Sequence, residues 1–379
     1  MGDPSYIMMM IPPQLNAFDY IPRTSTLFGE GYFERLGQIV ESFGFRRILI
    51  VSDPGVEKAG FVARAVKMLW DKKMEVWAFH DFGANPDTEM IRRCHNFAWP
   101  LMIDCIIGLG GGSSMDVAKA VNYLLTNGGE MKDYAGYGKT TRPMYPMIGI
   151  PTTAGTGSEA QSYCIISDAQ THIKMAIGDP QAAFRVTILD PTLTVSQPPE
   201  VTAASGYDAL AHAVESYVTT KRTPWSKMLA RESFLLLDAN FEKVLRSPED
   251  LSARGAMLLG AHWAGMAIEG SMLGATHACA NPLTAHYGTV HGVALSMLLP
   301  HVIRWNNGYA DYTDLRSDLA GRMSDLAAAA GLPASLRAAG VQPEMFDTLS
   351  QEASQQWTGK HNPRPFDAAG AMEIYQCAY

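Results

Sequence analysis

The chain has 379 residues and a formal net charge of −8, with 47% hydrophobic and 18% charged residues. This is an ordinary globular balance for two domains or one large one, and the lack of a basic excess excludes nucleic acid as the main partner. Five scattered cysteines (Cys94, Cys105, Cys164, Cys279 and Cys377) form no CxxC pair, so neither a disulfide framework nor a thiolate zinc site is suggested and a reducing compartment fits.

Residues 1–13 carry an apolar patch with no preceding Lys or Arg and fail as a secretory signal. Residues 47–52 (RILIVS) read as a buried strand, followed by a helix over about 56–72 and a second strand at 75–79. Residues 103–109 form a third strand, whose glycine-rich end opens a helix at Ser113, and 147–150 form a fourth. Strand, helix and strand at this spacing imply βαβ units and a parallel sheet with helices on both faces. After Pro191, stretches rich in Ala, Leu, Met and Glu at 203–219, 226–245, 251–265 and 315–330 read as helices. The Pro-bearing segment 190–200 is the natural hinge, dividing an α/β dinucleotide-binding domain (1–192) from an all-helical domain (193–379). The apolar run 293–299 ends at Pro300, far short of the roughly 20 residues a membrane helix needs. With no basic amphipathic stretch either, a cytoplasmic protein is expected.

Gly108, Gly110, Gly111 and Gly112 precede Ser113, Ser114 and Asp116. A strand running through glycines into a helix gathers free N–H groups and the positive helix end at one spot, suited to a pyrophosphate. The run departs from GxGxxG, and a tight βα turn without ligand is the competing reading. A second loop, PTTAGTGSE at 151–159, offers Thr152, Thr153 and Thr156 to a ribose or phosphate, or serves as a capping turn. Both loops fall at the carboxyl edge of the sheet, where nucleotides bind in open α/β folds. Asp53 suits a ribose 2′-OH and would repel a 2′-phosphate, although an Asx turn before Pro54-Gly55 reads equally well. Asn85-Pro86 likewise reads as a turn.

In the helical half, Asp208 and His212 stand at i and i+4 and share one helix face. His277 and His291 follow, 14 residues apart, the latter in the turn-like pair His291-Gly292. One carboxylate with three imidazoles suits Fe²⁺ or Zn²⁺ and leaves room for a substrate oxygen. His172 and His301 read as structural, while His262 and His286 are pocket-lining candidates.

Four segments carry a resemblance: GGGSSMDVAK (110–119), PTTAGTGSE (151–159), GYDALAHAVESY (206–217) and GATHACANPLTAHYGTVHGVALSMLLP (274–300). In these the chain resembles the iron-containing (group III) metal-dependent alcohol dehydrogenases over nearly its whole length. The resemblance implies a dehydroquinate synthase-like architecture, with the active site between an α/β domain with a parallel sheet and an all-α metal-binding domain. It places Asp208, His212, His277 and His291 at the metal-ligand positions. Gly111, Gly112, Ser113 and Asp116 fall on the pyrophosphate turn, and Thr152, Thr153 and Thr156 on the second cofactor loop. Ile165 and Lys174 fall beside the nicotinamide half, Asn85 at another cofactor contact, and Asp53 where NAD is favoured over NADP. It also implies hydride transfer between a small alcohol and the nicotinamide with a Lewis-acid metal, and a homo-oligomer.

Two departures stand out. Asn281 occupies a cleft position that is histidine in many members, and an amide cannot relay a proton, so such a route needs water or His286. Glu269 occupies a segment usually filled by small or amide residues, which reads either as a shifted substrate range or as a solvated helix residue. Cys279 reads as pocket wall. Within the same fold, a maleylacetate reductase is disfavoured by the full metal set that Asp208 preserves. That reductase and a hydroxyacid–oxoacid transhydrogenase would both gain from arginines near the histidine motifs, and few lie there. A dehydroquinate-synthase-like lyase needs lysines or arginines that 267–300 lacks. A catalytically silent cofactor-binding protein is the remaining alternative.

Overall fold

The computed structural model describes residues 18–171 and 173–379; the 1–13 segment and His172 lie outside them. The sheet strands are β1 (Ser25–Phe28), β2 (Arg47–Val51), β3 (Glu75–Phe79), β4 (Cys105–Gly110), β6 (Met147–Pro151) and β9 (Val186–Leu189). They pair in the order β1-β9-β6-β4-β2-β3, all parallel. Strand β5 (Gly136–Tyr137) and the antiparallel pair β7 (Tyr163–Ser167) and β8 (Lys174–Gly178) form a separate small sheet.

Parallel strands covered on both faces need apolar residues at every position, and β4 (CIIGLG) is buried throughout. Alternate residues feed two cores. Leu49, Val51 and Ile106 pack under α4 (Thr88–Ala98) and α5 (Gly112–Asn127), whereas Ile48, Ile50 and Ile107 pack under α1 (Leu36–Ser42), α2 (Pro54–Lys58) and α3 (Phe61–Trp70). The chain leaves β2 for β3 on one side and then returns to β4 on the other. That reversal opens a crevice beyond the carboxyl ends of β2 and β4, where Asp53 and the glycine turn stand.

The second half is helical: α6 (Pro199–Val218), α7 (Pro224–Arg246), α8 (Leu251–Ser271), α9 (Ala275–Tyr287), α10 (His291–Trp305), α11 (Leu319–Ala329), α12 (Phe346–Ser354) and α13 (Ala368–Ala378). Helix α6 is buried nearly all round, which suits its run of Ala, Gly and Ser and makes it the hub on which α7, α8 and α10 pack. Among the described residues, no helix is long and apolar enough to cross a membrane.

Several elements differ from the sequence reading. The helix expected over 56–72 is two helices, broken at Gly60, whose φ of 83° lies in the left-handed region. The stretch 251–265 continues to Ser271, and 315–330 becomes helical only after Asp318, whose carboxylate caps Gly321. His291-Gly292 is no turn but the start of α10, where a side chain on Gly292 would collide with the Ala204 carbonyl of α6. The connector at 190–200 is anchored at its start, where Asp190 is fully buried and accepts from the Phe33 N–H at 2.9 Å, and is largely exposed from Ser196 onward.

Candidate metal centre and cofactor cleft

Helix α6 carries Asp208, His212 and Glu215 at i, i+4 and i+7, all on one face. Helix α9 brings His277 against that face, and the first residue of α10 brings His291. The close α10–α6 approach that Gly292 permits is what delivers His291. Donor atoms of Asp208, His277 and His291 all lie within 4.8 Å of one another. His212 adjoins them: its Nε2 is 3.2 Å from Asp208 Oδ1, and its ring stacks on His277 with centroids 4.8 Å apart.

Asp208 Oδ1, His212 Nδ1, His277 Nε2 and His291 Nδ1 are buried without a hydrogen-bond partner among the described residues. His212 Nε2, at 3.2 Å from Asp208 Oδ1, is not aligned for a hydrogen bond and His277 Nε2, at 3.7 Å, is too far for one, so that oxygen counts as unpartnered. Each such atom costs about 1–3 kcal/mol. Potential ligand atoms of Asp208, His277 and His291 crowded together, with His212 beside them, fit a divalent cation.

The same crowding perturbs the ionisation of the cluster. Burial pushes the Asp208 carboxyl up, but the surrounding imidazoles outweigh it and hold it well below the usual range. Burial lowers His212, and lowers His291 to about 3. Burial also opposes the His277 imidazolium, yet Asp208 and Glu215 outweigh it and raise that group to about 9.

Glu215 was missed as a functional residue. Its Oε2 lies 2.5 Å from His277 Nδ1, and its Oε1 accepts from the Thr276 N–H at 2.6 Å. The carboxylate thus closes the first turn of α9 and orients the His277 ring with Nε2 towards Asp208. Its signal was present: it stands seven residues after Asp208, on the same helix face.

Two cavities meet at the start of α5. One, about 570 Å³, is lined by Asp53, Gly111, Gly112, Ser113, Thr152 and Thr153 among others. The other, about 300 Å³, shares Gly112 and Ser113 and adds Asn85, Asp116, Thr156, Ile165, Lys174, Asn281 and the four histidine-cluster residues. The residues expected to bind metal or cofactor, with Asn281, therefore line one or other of these two adjoining cavities. The N–H groups of Gly112, Ser113 and Ser114 precede the first intrahelical donor, Met115, which bonds the Gly111 carbonyl. They make an anion site of the usual helix-start kind.

Asp53 caps α2 through Gly55 and Val56 and also accepts from Ser114 Oγ at 3.2 Å. The Asx turn and the groove position thus coexist. Asp116 is occupied by protein donors, Ser158 Oγ at 2.8 Å and Ile165 N at 3.2 Å, so it holds the second loop and β7 in place. Lys119, also missed, is fully buried and donates to Ser158 O, Ser158 Oγ and Tyr163 O at 2.6–3.0 Å.

Other expectations need correction. Glu269 lies outside the cleft and is only partly solvated: it accepts from Ser162 N and Oγ and pairs with Arg23 at 3.2 Å. His262 lines a separate small cavity with Glu269; its Nδ1 lies 3.0 Å from Glu159 Oε1 and its Nε2 lies 2.9 Å from Thr26 Oγ1. His286 turns away to Glu352 at 2.9 Å, and Cys279 faces the helical core instead of the cleft.

The structure sets an open parallel α/β domain against a helical domain, with a groove running from the α5 N-terminus to a candidate metal cluster. The iron-containing alcohol dehydrogenase family matches residues 23–191, and the C-terminal part of the Fe-containing alcohol dehydrogenase family matches 202–379. Alcohol dehydrogenase 4 of Saccharomyces cerevisiae (strain ATCC 204508 / S288c) is 32% identical over 95% of this chain and 98% of its own. The 1,3-propanediol dehydrogenase of Klebsiella pneumoniae is 30% identical over 96% and 99%. A crystal structure of 1,3-propanediol oxidoreductase superposes with a TM-score of 0.91 at 30% identity, covering 96% of this chain and all (100%) of that one. The chain belongs to the iron-containing alcohol dehydrogenases, and is an oxidoreductase of alcohols and their carbonyl products.

Proposed function

We propose that this chain interconverts a small alcohol and its aldehyde or ketone, with NAD preferred over NADP and with Fe²⁺ or Zn²⁺ held by Asp208, His212, His277 and His291. The observation that carries this reading is the set of unpartnered buried atoms from α6, α9 and α10, facing a groove that begins at the α5 N-terminus. Residues 1–192 act as the dinucleotide-binding domain and 193–379 as the metal- and substrate-binding domain. A homo-oligomer in the cytoplasm is expected, the latter supported by four buried free thiols.

The groove's parts have separate tasks. Gly111, Gly112 and Ser113 receive the pyrophosphate, Thr152, Thr153 and Thr156 flank it, and Asp53 reads the adenosine ribose. Asn85, Ile165 and Lys174 position the nicotinamide end beside the cluster. Glu215 keeps the His277 proton on Nδ1, leaving Nε2 as a lone-pair donor. Ile268, Met272, Leu273 and Trp357 exclude water from the inner cavity. When bound, the divalent ion supplies Lewis-acid polarisation of the substrate oxygen and NAD supplies the hydride acceptor. Lys174 is the one Lys or Arg in that lining, which favours neutral alcohols over diacid or phosphorylated substrates.

The test is a panel of C2–C6 alcohols and diols with NAD and NADP, on protein of determined metal content. Metal-dependent NADH formation supports the proposal, and full turnover by Asp208→Ala refutes the metal assignment.

A further inference from the structure

Asn281 stands one helical turn beyond His277 on α9, so both side chains face the inner cavity. It is only 9% exposed, and its amide sense is fixed by a relay. Gln356 Nε2 donates to the Glu352 carbonyl at 3.5 Å, which leaves Gln356 Oε1 to accept from Asn281 Nδ2 at 2.9 Å. Asn281 Oδ1 therefore remains as an acceptor with two lone pairs, and no donor among the described residues reaches it. The neighbouring wall is apolar, with Ile268, Met272, Leu273 and Trp357. That oxygen opens onto the cavity instead of being sealed in protein, and beside such a wall a ligand hydroxyl that displaces cavity water supplies its donor.

Building on the alcohol-site reading above, we propose that Asn281 Oδ1 accepts a hydrogen bond from a second hydroxyl of the substrate. Residue 281 is then the specificity-determining position for alcohols carrying another hydroxyl at the far end of a three- or four-carbon chain. Asn281 and the histidine cluster line the same cavity, so one small substrate can reach both. An alcohol ending in a methyl group would bury the oxygen unpaired, and a methoxy group would set lone pair against lone pair.

The test compares 1,3-propanediol with two probes lacking the second donor, 1-butanol (the same chain length) and 3-methoxy-1-propanol, on metal-loaded enzyme with NAD. In Asn281→Leu, the diol-to-butanol ratio of kcat/KM falls about tenfold or more, mostly through the KM of the diol. Calorimetric binding of each alcohol to the NADH complex follows the same order. In Gln356→Leu the ratio falls part of the way, because the amide is no longer held. The proposal is overturned if the ratio in Asn281→Leu stays within about twofold of the parent, or if both alcohols fall alike. It is equally overturned if the parent enzyme handles the methoxy alcohol as well as the diol. Should Asn281→Leu not fold, Gln356→Leu and the methoxy comparison decide the matter. Failure of the underlying alcohol-site reading looks different, since no alcohol, 1-butanol included, would then yield NADH with either metal.

Discussion

Replacing Glu215 with Gln changes one atom in a carboxylate whose two oxygens serve different masters. Oε1 receives the Thr276 N–H, and Oε2 faces His277 Nδ1 and the more distant His277 N–H at 3.4 Å. In Glu215→Gln one of those positions becomes an NH₂ group facing another donor. If it faces α9, the first turn loses its acceptor. If it faces His277, the imidazole must move its proton to Nε2, the atom on which metal binding depends. The surviving contact also weakens from charge-assisted to neutral, by about 1–1.5 kcal/mol, and the broken one costs about 1–3 kcal/mol. The metal-free protein should therefore lose about 2–4 kcal/mol of stability, and metal affinity should drop about 10- to 100-fold. Urea unfolding reads the first quantity and metal content after dialysis against graded chelator reads the second. An unchanged unfolding midpoint together with metal affinity within about threefold of the parent would refute this account of α9 and its imidazole.

Four further outcomes are expected. With His277 raised to about 9 in the metal-free protein and His291 lowered to about 3, metal binding at pH 7.5 displaces the His277 proton. Calorimetry in buffers of different ionisation heat should count about one proton released, and affinity should rise with pH until about 9 and then level off; release of none contradicts the assignment. Lys119→Met strands the Ser158 and Tyr163 carbonyls, so denaturant unfolding should show a loss of roughly 2–5 kcal/mol and NAD titration a weaker complex. Asp53→Asn keeps the helix cap but removes the charge, and steady-state rates should shift the NADP-to-NAD ratio upward by roughly tenfold; equal use of both cofactors by the parent enzyme discards that role. Gly292→Ala forces α10 away from the Ala204 carbonyl, lowering stability by roughly 2–4 kcal/mol and metal content with it; a variant as stable and as metal-rich as the parent contradicts the proposed close packing.

Local patterns carried much of this molecule. The continuous apolar runs at β2 and β4 announced a parallel sheet because strands covered on both faces have no polar positions to offer. The glycine turn, the threonine loop and the Asp208–His212 pair were visible because their spacing maps directly onto strand ends and one helix face. Other features depend on distant partners. The edge strand β1 and the short β9 contain only four residues each, too few for a period to emerge. The β7–β8 hairpin is defined by its antiparallel pairing rather than by either strand alone. Gly60 breaks a helix that composition alone would continue. Glu269 and His262 gained their roles from Ser162, Arg23, Glu159 and Thr26, each more than 100 positions away in the chain, and no local pattern predicts such pairings. Glu215 was legible in spacing, but its task became apparent only once α9 was seen to end on it.

The Glu159–His262–Thr26 and Ser162–Glu269–Arg23 contacts tie helix α8 to the sheet side of the protein at two points. Pulling those halves apart would leave the fully enclosed Glu159 without its imidazole, a penalty of about 1–3 kcal/mol before Glu269 is counted. Widening of the crevice to exchange a dinucleotide is therefore cheapest as a rotation about this tethered margin. The far lip, where Asp53 and Asn85 follow β2 and β3 at the opposite edge of the sheet, travels most in such a rotation, and the imidazole cluster beside α6 keeps its shape.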